Sequence, residues 1–322
     1  MQRNMLIAVG SGGVSALASL AFLGGVPGGF LLVYVASLPL FLIGLSGGPL
    51  LAGVASFSGI VVSGILGGLL TAVIFAVAHG FPAWLVNRQA LLRSVVDEDG
   101  TTVGLSTEGT GDWYPLGNIA ATLFLFGAAM MIVSGHTLSS SVDGGLGDLV
   151  REHLTVTMQV MAPNVDDSLR TLMVETLHPL FPGAMAASWI GMIAINGLIA
   201  QAILRRGGHN RRPETGYRSF ELPNWAAWPL IAAAAVALVS DGDVSYYARN
   251  AAIVLATPYF LLGVIVVHGV TRRLPFRPVA LFAFYAVLLI STWALVIVAA
   301  LGMLEQWAEL RLRFAAADDE KS

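Results

Sequence analysis

The segment 250–277, NAAIVLATPYFLLGVIVVHGVTRRLPFR, decides the fold class, because a long apolar run ends in a short gap that carries arginines. The same alternation recurs along the chain, as where the apolar run before Leu204 ends in Arg205 and Arg206. An apolar run of about 20 residues is the length that an α-helix needs to cross a hydrocarbon layer about 30 Å thick. The sequence therefore predicts an all-α fold, a polytopic transmembrane helix bundle.

The composition excludes several classes of protein. Hydrophobic residues make up 56% of the chain and charged residues 11%, which is less than half of the about 25% found in soluble domains. A soluble protein of this composition would expose large apolar patches and aggregate. The net charge of -3 gives no support for nucleic-acid binding. Because the chain has no cysteine, it has no disulfide, no thiolate nucleophile and no cysteine-ligated zinc.

Eight to nine membrane spans are predicted. The run between Gly48 and Val86 has no charged residue, and we divide it at 63–68, SGILGG, because glycine clusters let a helix bend in lipid. The first run could be a cleaved secretory signal, but it extends past the small-residue site at 16–18 and another apolar segment follows it. The nine spans are drawn at 5–23, 29–45, 48–64, 66–87, 115–135, 181–204, 225–240, 248–270 and 278–301.

The spans fall into two groups that an arginine-rich segment separates. We expect a six-span bundle at 1–204, a cytoplasmic linker at 205–224, a three-span unit at 225–301 and an amphipathic, polar tail at 302–322. The segment 94–114 is rich in Asp, Glu, Thr and Gly, which predicts a solvated loop on the cytoplasmic side.

Positive charges set the expected orientation, since cytoplasmic loops of membrane proteins are enriched in Lys and Arg. With Arg3 inside, the predicted spans bring the arginines of 88–93, 205–218 and 272–277 to the same side, and they leave the acidic segment 136–180 outside. The interpretation is a multi-pass protein of the bacterial inner (plasma) membrane with a cytoplasmic N-terminus. Nine spans leave the basic C-terminal tail outside, so either the tail is an exception or the count differs by one.

Three segments of the C-terminal half carry a resemblance to a known family. They are 220–225 (FELPNW), 259–268 (YFLLGVIVVH) and 302–311 (GMLEQWAELR). In this order they resemble the YybS-like family, which comprises bacterial inner-membrane proteins without an agreed activity. Glu305 departs from the family pattern, in which an aspartate is expected. The resemblance implies a polytopic inner-membrane protein and covers most of the chain.

The layout of the first six spans is similar to that of the substrate-capturing subunits of energy-coupling-factor transporters. The likeness consists of the glycine- and proline-rich turn 24–29, the tight turn 46–49 and a long external loop before the sixth span. It implies capture of a small nutrient near the outer face and docking on a transmembrane coupling protein that works with ATPases. A likeness of layout alone does not establish function.

Small residues recur every four positions on the first span, at Ala8, Gly12 and Ala16. This spacing lets two helices approach closely. We favour the interpretation that this face of the first span packs against another helix of the same protein. The alternative is that the same face contacts a partner subunit.

Polar residues inside apolar runs are the first candidate ligand contacts. Asn196, Gln201 and His79 should face the bundle interior, because an unsatisfied polar group in hydrocarbon costs several kcal/mol. Interhelical hydrogen bonding is the competing interpretation. It is favoured over ligand contact for all three residues. The ligand interpretation is weaker still for His79 and Gln201, which lie near the predicted cytoplasmic ends of their spans. Asn196 is therefore the first residue to test.

Histidines of the outer segment are the second candidates. His136, His153 and His178 accompany acidic residues, a combination that could bind a divalent cation. No two of these histidines fall within one helical turn and no His-Glu-x-x-His is present, so solvated-loop residues are favoured over metal ligands. We retain His136 and His178 as possible ligand contacts, and we predict no metal site and no cofactor.

Motifs for catalysis are absent from the sequence. There is no Gly-x-x-x-x-Gly-Lys-[Ser/Thr] phosphate loop, no Gly-x-Ser-x-Gly elbow and no acidic pair within a span, so we expect no enzyme. The leading hypothesis is capture or transport of a small solute from the outer side, with Asn196, His136 and His178 as contacts. The alternative is a non-catalytic scaffold for envelope or division proteins, with 205–218 as a docking surface or a contact for anionic lipid.

Overall fold

Helices account for most of the structure. The computed structural model describes residues 2–22, 24–25, 27–97, 99–140, 144–213, 220–272 and 274–308. Its elements are α1 (Gln2–Leu20), α2 (Gly29–Val35), α3 (Leu38–Gly47), α4 (Pro49–Phe75), a π-helix (Ala76–Gly80), α5 (Phe81–Ala90), β1 (Arg93–Val96), β2 (Thr102–Ser106), α6 (Leu116–Ser139), α7 (Gly145–Met161), α8 (Asp167–Leu177), α9 (Phe181–Arg206), α10 (Ala227–Val239), α11 (Gly242–Thr271), α12 (Arg277–Ile290) and α13 (Thr292–Ala308). The predicted positions outside these ranges are 23 of the first span, 26 of the turn 24–29, 98 of the segment 94–114, 141–143 of the outer segment, 214–219 of the linker, Arg273 and 309–322 of the tail.

Within the described ranges, five helical segments are long and apolar enough to cross a membrane, and a bent pair makes up to six. The five are Gly29–Gly47, Pro49–Ala90, Leu116–Ser139, Phe181–Arg206 and Gly242–Thr271. Two predicted spans are not in this set. One is α1, which begins with polar residues, and the other is α10, which belongs to the shorter apolar helix Asn224–Val239. An all-α membrane fold is confirmed, whereas the predicted count of eight to nine spans is not.

The segment Pro49–Ala90 folds into a helical hairpin. Gly68 interrupts the helix with φ 83° and ψ 179°, a conformation that is essentially restricted to glycine. The two limbs run antiparallel, since Thr71 Oγ1 donates to the Ser63 carbonyl at 2.8 Å and Ser56 Oγ donates to the Gly80 carbonyl at 3.0 Å. The break predicted in the glycine cluster 63–68 is confirmed, and each limb has about the 20 residues that a span needs.

The predicted span 278–301 is not one straight helix. The bend between α12 and α13 is 118°. Ser291 between them is extended, and its Oγ accepts a hydrogen bond from the Ala294 backbone N–H at 3.4 Å, as an N-cap does. A new helix therefore begins at a serine where the hydropathy is continuous, which is why the apolar pattern alone predicts a single span.

Small side chains face inward and large apolar side chains face outward on the first helix. The buried residues of α1 are Ala8, Gly12, Ser15 and Ala16. A Cβ at Gly12 would overlap Ser58 Oγ and the Ala55 carbonyl of α4. Leu6, on the opposite side, is 73% exposed. The predicted small-residue seam and its role in internal packing are confirmed, and the outward apolar surface is the kind that lipid tails cover.

The chain forms two compact units, neither of which is continuous in sequence. The first comprises Met1–Ile119 and Trp189–Thr215, and the second comprises Ala120–Ser188 and Gly216–Ser322. The predicted division at 204 and 225 follows the order of the sequence instead. The two divisions differ because 120–188 packs with later helices, as where Gly147 of α7 lies against the ring of Tyr246 of α11.

Two segments predicted as loops have regular structure. The outer segment 136–180 contains α7 and α8, which bury Leu146 and Leu154 on α7 and Val174 on α8. The segment 94–114 contains β2 and all of β1 except its first residue, and the two strands pair antiparallel, with Ser94 opposite Leu105. Both segments are polar, and a prediction based on long apolar runs cannot detect helices or strands in a polar segment.

Replacing Gly12 with alanine should destabilise the first unit. The added methyl group would overlap α4, and overpacking of this kind costs about 1–3 kcal/mol. Gly13→Ala is the matched control, because a Cβ at Gly13 meets no atom within 4 Å. Thermal unfolding of both variants in detergent measures the difference. Equal melting temperatures would contradict the close α1–α4 contact.

Candidate functional site

A proline in the second limb of the hairpin creates an irregular helical turn. Pro82 has no N–H and cannot donate to the Ala78 carbonyl four residues earlier. The backbone forms the π-helix Ala76–Gly80 just before it, a rare conformation that is frequent at functional sites. The Trp189 indole N–H of α9 donates to the Ala78 carbonyl at 2.9 Å. A side chain from another helix thus donates to the acceptor that loses its i→i−4 backbone donor at the proline.

His79 lies on this π-helix and is almost completely buried, with an exposed fraction of 3%. Its Nδ1 lies 2.9 Å from Ser37 Oγ, and its ring centroid lies 5.6 Å from that of Phe75. Among the described residues, its Nε2 has no hydrogen-bond partner. One nitrogen therefore fixes the ring, and the other remains available to a ligand.

A cavity of about 350 Å³ adjoins His79 within the first unit; it is open on one side, where Phe22 and Tyr34 are 62% and 54% exposed. This volume falls at the lower end of the range of about 300–1,000 Å³ for small-molecule sites. Hydrogen-bonding side chains at its wall are Ser19, Tyr34, Thr71, His79 and Trp189, and the remaining lining residues are Leu20, Phe22, Val33, Ile74, Ala78 and Met192. None of these side chains carries a full charge at neutral pH except through protonation of the histidine. The cavity suits a ligand that is mostly apolar.

Asn196, the first candidate from the sequence, supports the wall of this cavity without lining it. Its Nδ2 donates to the Tyr34 carbonyl at 2.7 Å and to the Met192 carbonyl at 2.8 Å. Both acceptor residues line the cavity. The Asn196 Oδ1 is buried and has no partner among the described residues. The amide thus links α9 to α2, as interhelical hydrogen bonding would predict, and it positions two lining residues.

The outer-segment candidates belong to the second unit, whereas the cavity lies in the first. His136 is exposed in the last turn of α6. The side chain of His178 is near Arg151, with Nε2 to Nη2 at 3.3 Å, and near Glu175, with Nδ1 to Oε2 at 3.8 Å. A guanidinium beside the histidine opposes a cation, and the described residues contain no group of three or more His, Cys, Asp or Glu that could hold a metal.

Gln201 has a structural partner at the arginine-rich end of the first unit. Its Nε2 donates to the Arg212 carbonyl at 2.7 Å. The Arg212 side chain is buried, and its Nη1 donates to the carbonyl of Ala90, the last residue of α5, at 3.2 Å. Burial lowers the pKa of Arg212, and the Trp113 ring lies 5.8 Å from its guanidinium. The loop after α9 is thereby fastened to the end of α5.

The three segments that carry the family resemblance meet in one core of the second unit. Leu222, Tyr259 and Leu262 are buried together there, and Met303 packs against them. A Cβ at Gly302 would overlap the Tyr259 carbonyl, so α13 and α11 are in close contact. These segments therefore hold the helices of the second unit together.

Sequence reasoning missed Pro82 and Trp189 and discounted His79. The offset of four residues between Ala78 and Pro82 was readable as a lost backbone hydrogen bond inside an apolar run. The sequence does not show which donor replaces it, because Trp189 lies more than one hundred residues away. His79 was discounted for its place near the end of a predicted span, whereas the structure buries it beside the cavity.

Comparison with known families identifies the family of this chain. Residues 104–305, more than half of the chain, match the family described as "Predicted membrane protein (DUF2232)". Trp189 and Met192 of the cavity lie within the matched residues, and the other lining residues precede them. Comparison with curated proteins and with solved structures gives no match.

Replacing Trp189 with phenylalanine should destabilise the first unit by about 1–3 kcal/mol, because the partly buried Ala78 carbonyl loses its side-chain donor. Trp228→Phe is the control, since that side chain is 71% exposed. Adding Pro82→Ala to Trp189→Phe should recover part of the loss by restoring a backbone N–H. Thermal unfolding in detergent measures all four proteins. A Trp189→Phe protein as stable as the parent would refute the role of the indole.

Proposed function

The chain belongs to the DUF2232 family of predicted membrane proteins, and on that premise we propose that it captures a small, uncharged solute in the cavity beside His79. The observation that carries this proposal is a buried histidine with a free Nε2 at the wall of a cavity that is mostly apolar and has no other ionisable side chain near neutral pH. Binding sites combine apolar walls with a few polar groups that fix the orientation of the ligand. Asn196 acts indirectly, through the backbone of Tyr34 and Met192.

The class of ligand follows from what the cavity lacks. No Asp, Glu, Lys or Arg occurs between Arg3 and Arg88, and none lines the cavity from α9. A charged ligand would lose its hydration there without gaining a counterion, which is costly in an apolar environment. We therefore propose a neutral ligand with one or two hydrogen-bonding groups.

We propose that the ligand enters from the outer side of the bacterial inner membrane. Within the first unit, Arg211 Nε donates to the Ser46 carbonyl, and Arg212 contacts the end of α5, so these arginines gather at one end. The cavity lies toward the other end, because its wall includes Ser19, near the end of α1, and Thr71, near the turn at Gly68. If the arginine-rich end is cytoplasmic, as the positive-inside rule favours, the cavity is in the outer half of the bilayer.

This role is non-enzymatic and agrees with the proposed likeness to substrate-capturing subunits of energy-coupling-factor transporters and to the YybS-like family. It would require a separate coupling protein with ATPases. The scaffold is the second candidate, and the fastened loop 207–213 favours it, because that loop presents the exposed Arg211 on a defined support. Anionic lipid or an acidic protein segment would fit such a surface.

Equilibrium dialysis of the purified protein in lipid nanodiscs tests the proposal, with empty nanodiscs as the control for partition into lipid. The probes are indole, indole-3-acetate and tryptamine, which share a ring and differ in charge. We expect saturable retention of indole and little retention of the anion and the cation. His79→Phe should weaken indole binding about twofold to tenfold, since a neutral hydrogen bond contributes about 0.5–1.5 kcal/mol.

A matched pair of variants on α1 shows whether the cavity is the site. Ser19→Phe should fill the cavity and abolish retention, whereas Ser11→Phe, on the same helix but not at the cavity wall, should retain the probe. If no probe binds saturably, or if Ser19→Phe binds indole as the parent does, capture at this cavity is wrong and the scaffold becomes the better candidate.

A further inference from the structure

The α7–α8 hairpin is a defined structural element of the second unit. Asp166 caps α8, since its Oδ1 accepts from the Ser168 backbone N–H at 2.9 Å, and hydrogen bonds from Ser168 lower the pKa of this carboxyl group. Arg170 Nη2 donates to the Val165 carbonyl at 2.8 Å and closes the turn. Arg151 of α7 pairs with Glu175 of α8 at 3.0 Å. Contacts at both ends therefore hold the two helices together.

Each helix of the hairpin is amphipathic. On α7, Asp148, Glu152, Thr155 and Gln159 recur at helical spacing and form a polar stripe. An apolar stripe on another side of α7 includes Val156 and Val160, and the second of these is 76% exposed. On α8, the apolar side chains Leu169, Leu172 and Met173 are exposed at spacings of three and four residues, and Leu172 is 62% exposed. Within the described residues, nothing covers these two stripes.

The contacts of the hairpin with α11 indicate its depth in the membrane. Gly147 lies against Tyr246, the Tyr246 hydroxyl donates to the His178 carbonyl at 2.6 Å, and Asn250 Nδ2 donates to the Pro179 carbonyl at 3.1 Å. These α11 residues fall in the first nine of its 30 positions. At about 1.5 Å per residue, they occupy about 13 Å of a helix about 45 Å long. A bilayer with its headgroup regions is about 40–45 Å thick, so this first part of α11 is at one interface.

The hairpin also begins and ends at membrane-crossing helices. It follows α6 and precedes α9, and both of these are candidate spans. A connection between the ends of two spans starts and finishes at the membrane surface. An amphipathic helix in that position places its apolar side at the boundary between headgroups and acyl chains and its polar side in water.

We propose that the α7–α8 hairpin lies in the membrane–water interface, with the stripes that contain Val160 and Leu172 inserted among the lipids. The partner of this surface is the bilayer itself. The charged residues of the hairpin fit this placement, because Asp148, Arg151 and Glu175 pair with one another and lie at least 45% exposed, where water and headgroups can reach them. This inference does not depend on the proposed capture of a solute.

Site-directed spin labelling tests the inference, and the absence of cysteines from the chain makes single-cysteine variants simple to prepare. Val160→Cys and Leu172→Cys report on the apolar stripes. Gln159→Cys and Thr171→Cys are matched controls, since each is the preceding residue of the same helix and is exposed. The labelled full-length protein is reconstituted in vesicles of phosphatidylethanolamine and phosphatidylglycerol, and power saturation measures collisions with oxygen and with a water-soluble nickel chelate.

We expect labels at 160 and 172 to collide more with oxygen and less with the nickel chelate than the labels at 159 and 171. Equal, high nickel accessibility at all four positions would show a water-solvated hairpin and overturn the inference. Protection of 160 and 172 from both reagents would show a protein contact and overturn it as well. If a variant does not fold, as judged by its thermal unfolding, Val156→Cys with Thr155→Cys as its control makes the same comparison.

Discussion

The first unit depends on one constraint: a polar group inside a bilayer must find its hydrogen-bond partner within the protein. The carbonyl oxygen of Ala78 is the clearest example. Pro82 removes the backbone donor, and Trp189 supplies another at 2.9 Å. The same solution recurs where a side chain of one helix donates to a carbonyl of another. The further pairs are Ser15 with Ala36, Ser56 with Gly80, Ser58 with Val9, Asn87 with Leu40, and Asn196 with Tyr34. These bonds fix which helices are neighbours, since apolar contact with lipid does not distinguish one helix side from another.

Close packing and the cavity are consequences of this arrangement. Glycine and serine at the crossings, such as Gly12 against α4, let backbones approach until hydroxyl groups reach the carbonyls. The π-turn places His79 at the wall of the cavity, with one nitrogen bonded to Ser37. The irregular turn before Pro82 therefore carries both the rebonded Ala78 carbonyl and the histidine at the cavity wall.

The sequence predicts those features that depend on apolar composition and on small residues. It predicts the all-α membrane class, the break in the cluster that contains Gly68, and the packed seam of α1, each of which the structure confirms. It does not predict α7 and α8, because their apolar residues alternate with charges and form no long run. The bend at Ser291 is missed for the opposite reason, since a serine cap interrupts a run whose hydropathy is continuous. The cavity is not predicted, because its wall combines α1, α2, the second limb of the Pro49–Ala90 hairpin and α9. Contacts between such distant segments cannot be inferred from residue spacing.

The central claim is that a bilayer surrounds the helices and that α11 crosses it, with its two ends on opposite sides of the membrane. Single cysteines at Asn164, in the turn between α7 and α8, and at Phe276, in the turn after α11, test it in intact cells with a membrane-impermeant thiol reagent. We expect the reagent to label position 164 directly and position 276 only after the membrane is permeabilised. Labelling of both positions in intact cells, or of neither before permeabilisation, would contradict the proposed orientation.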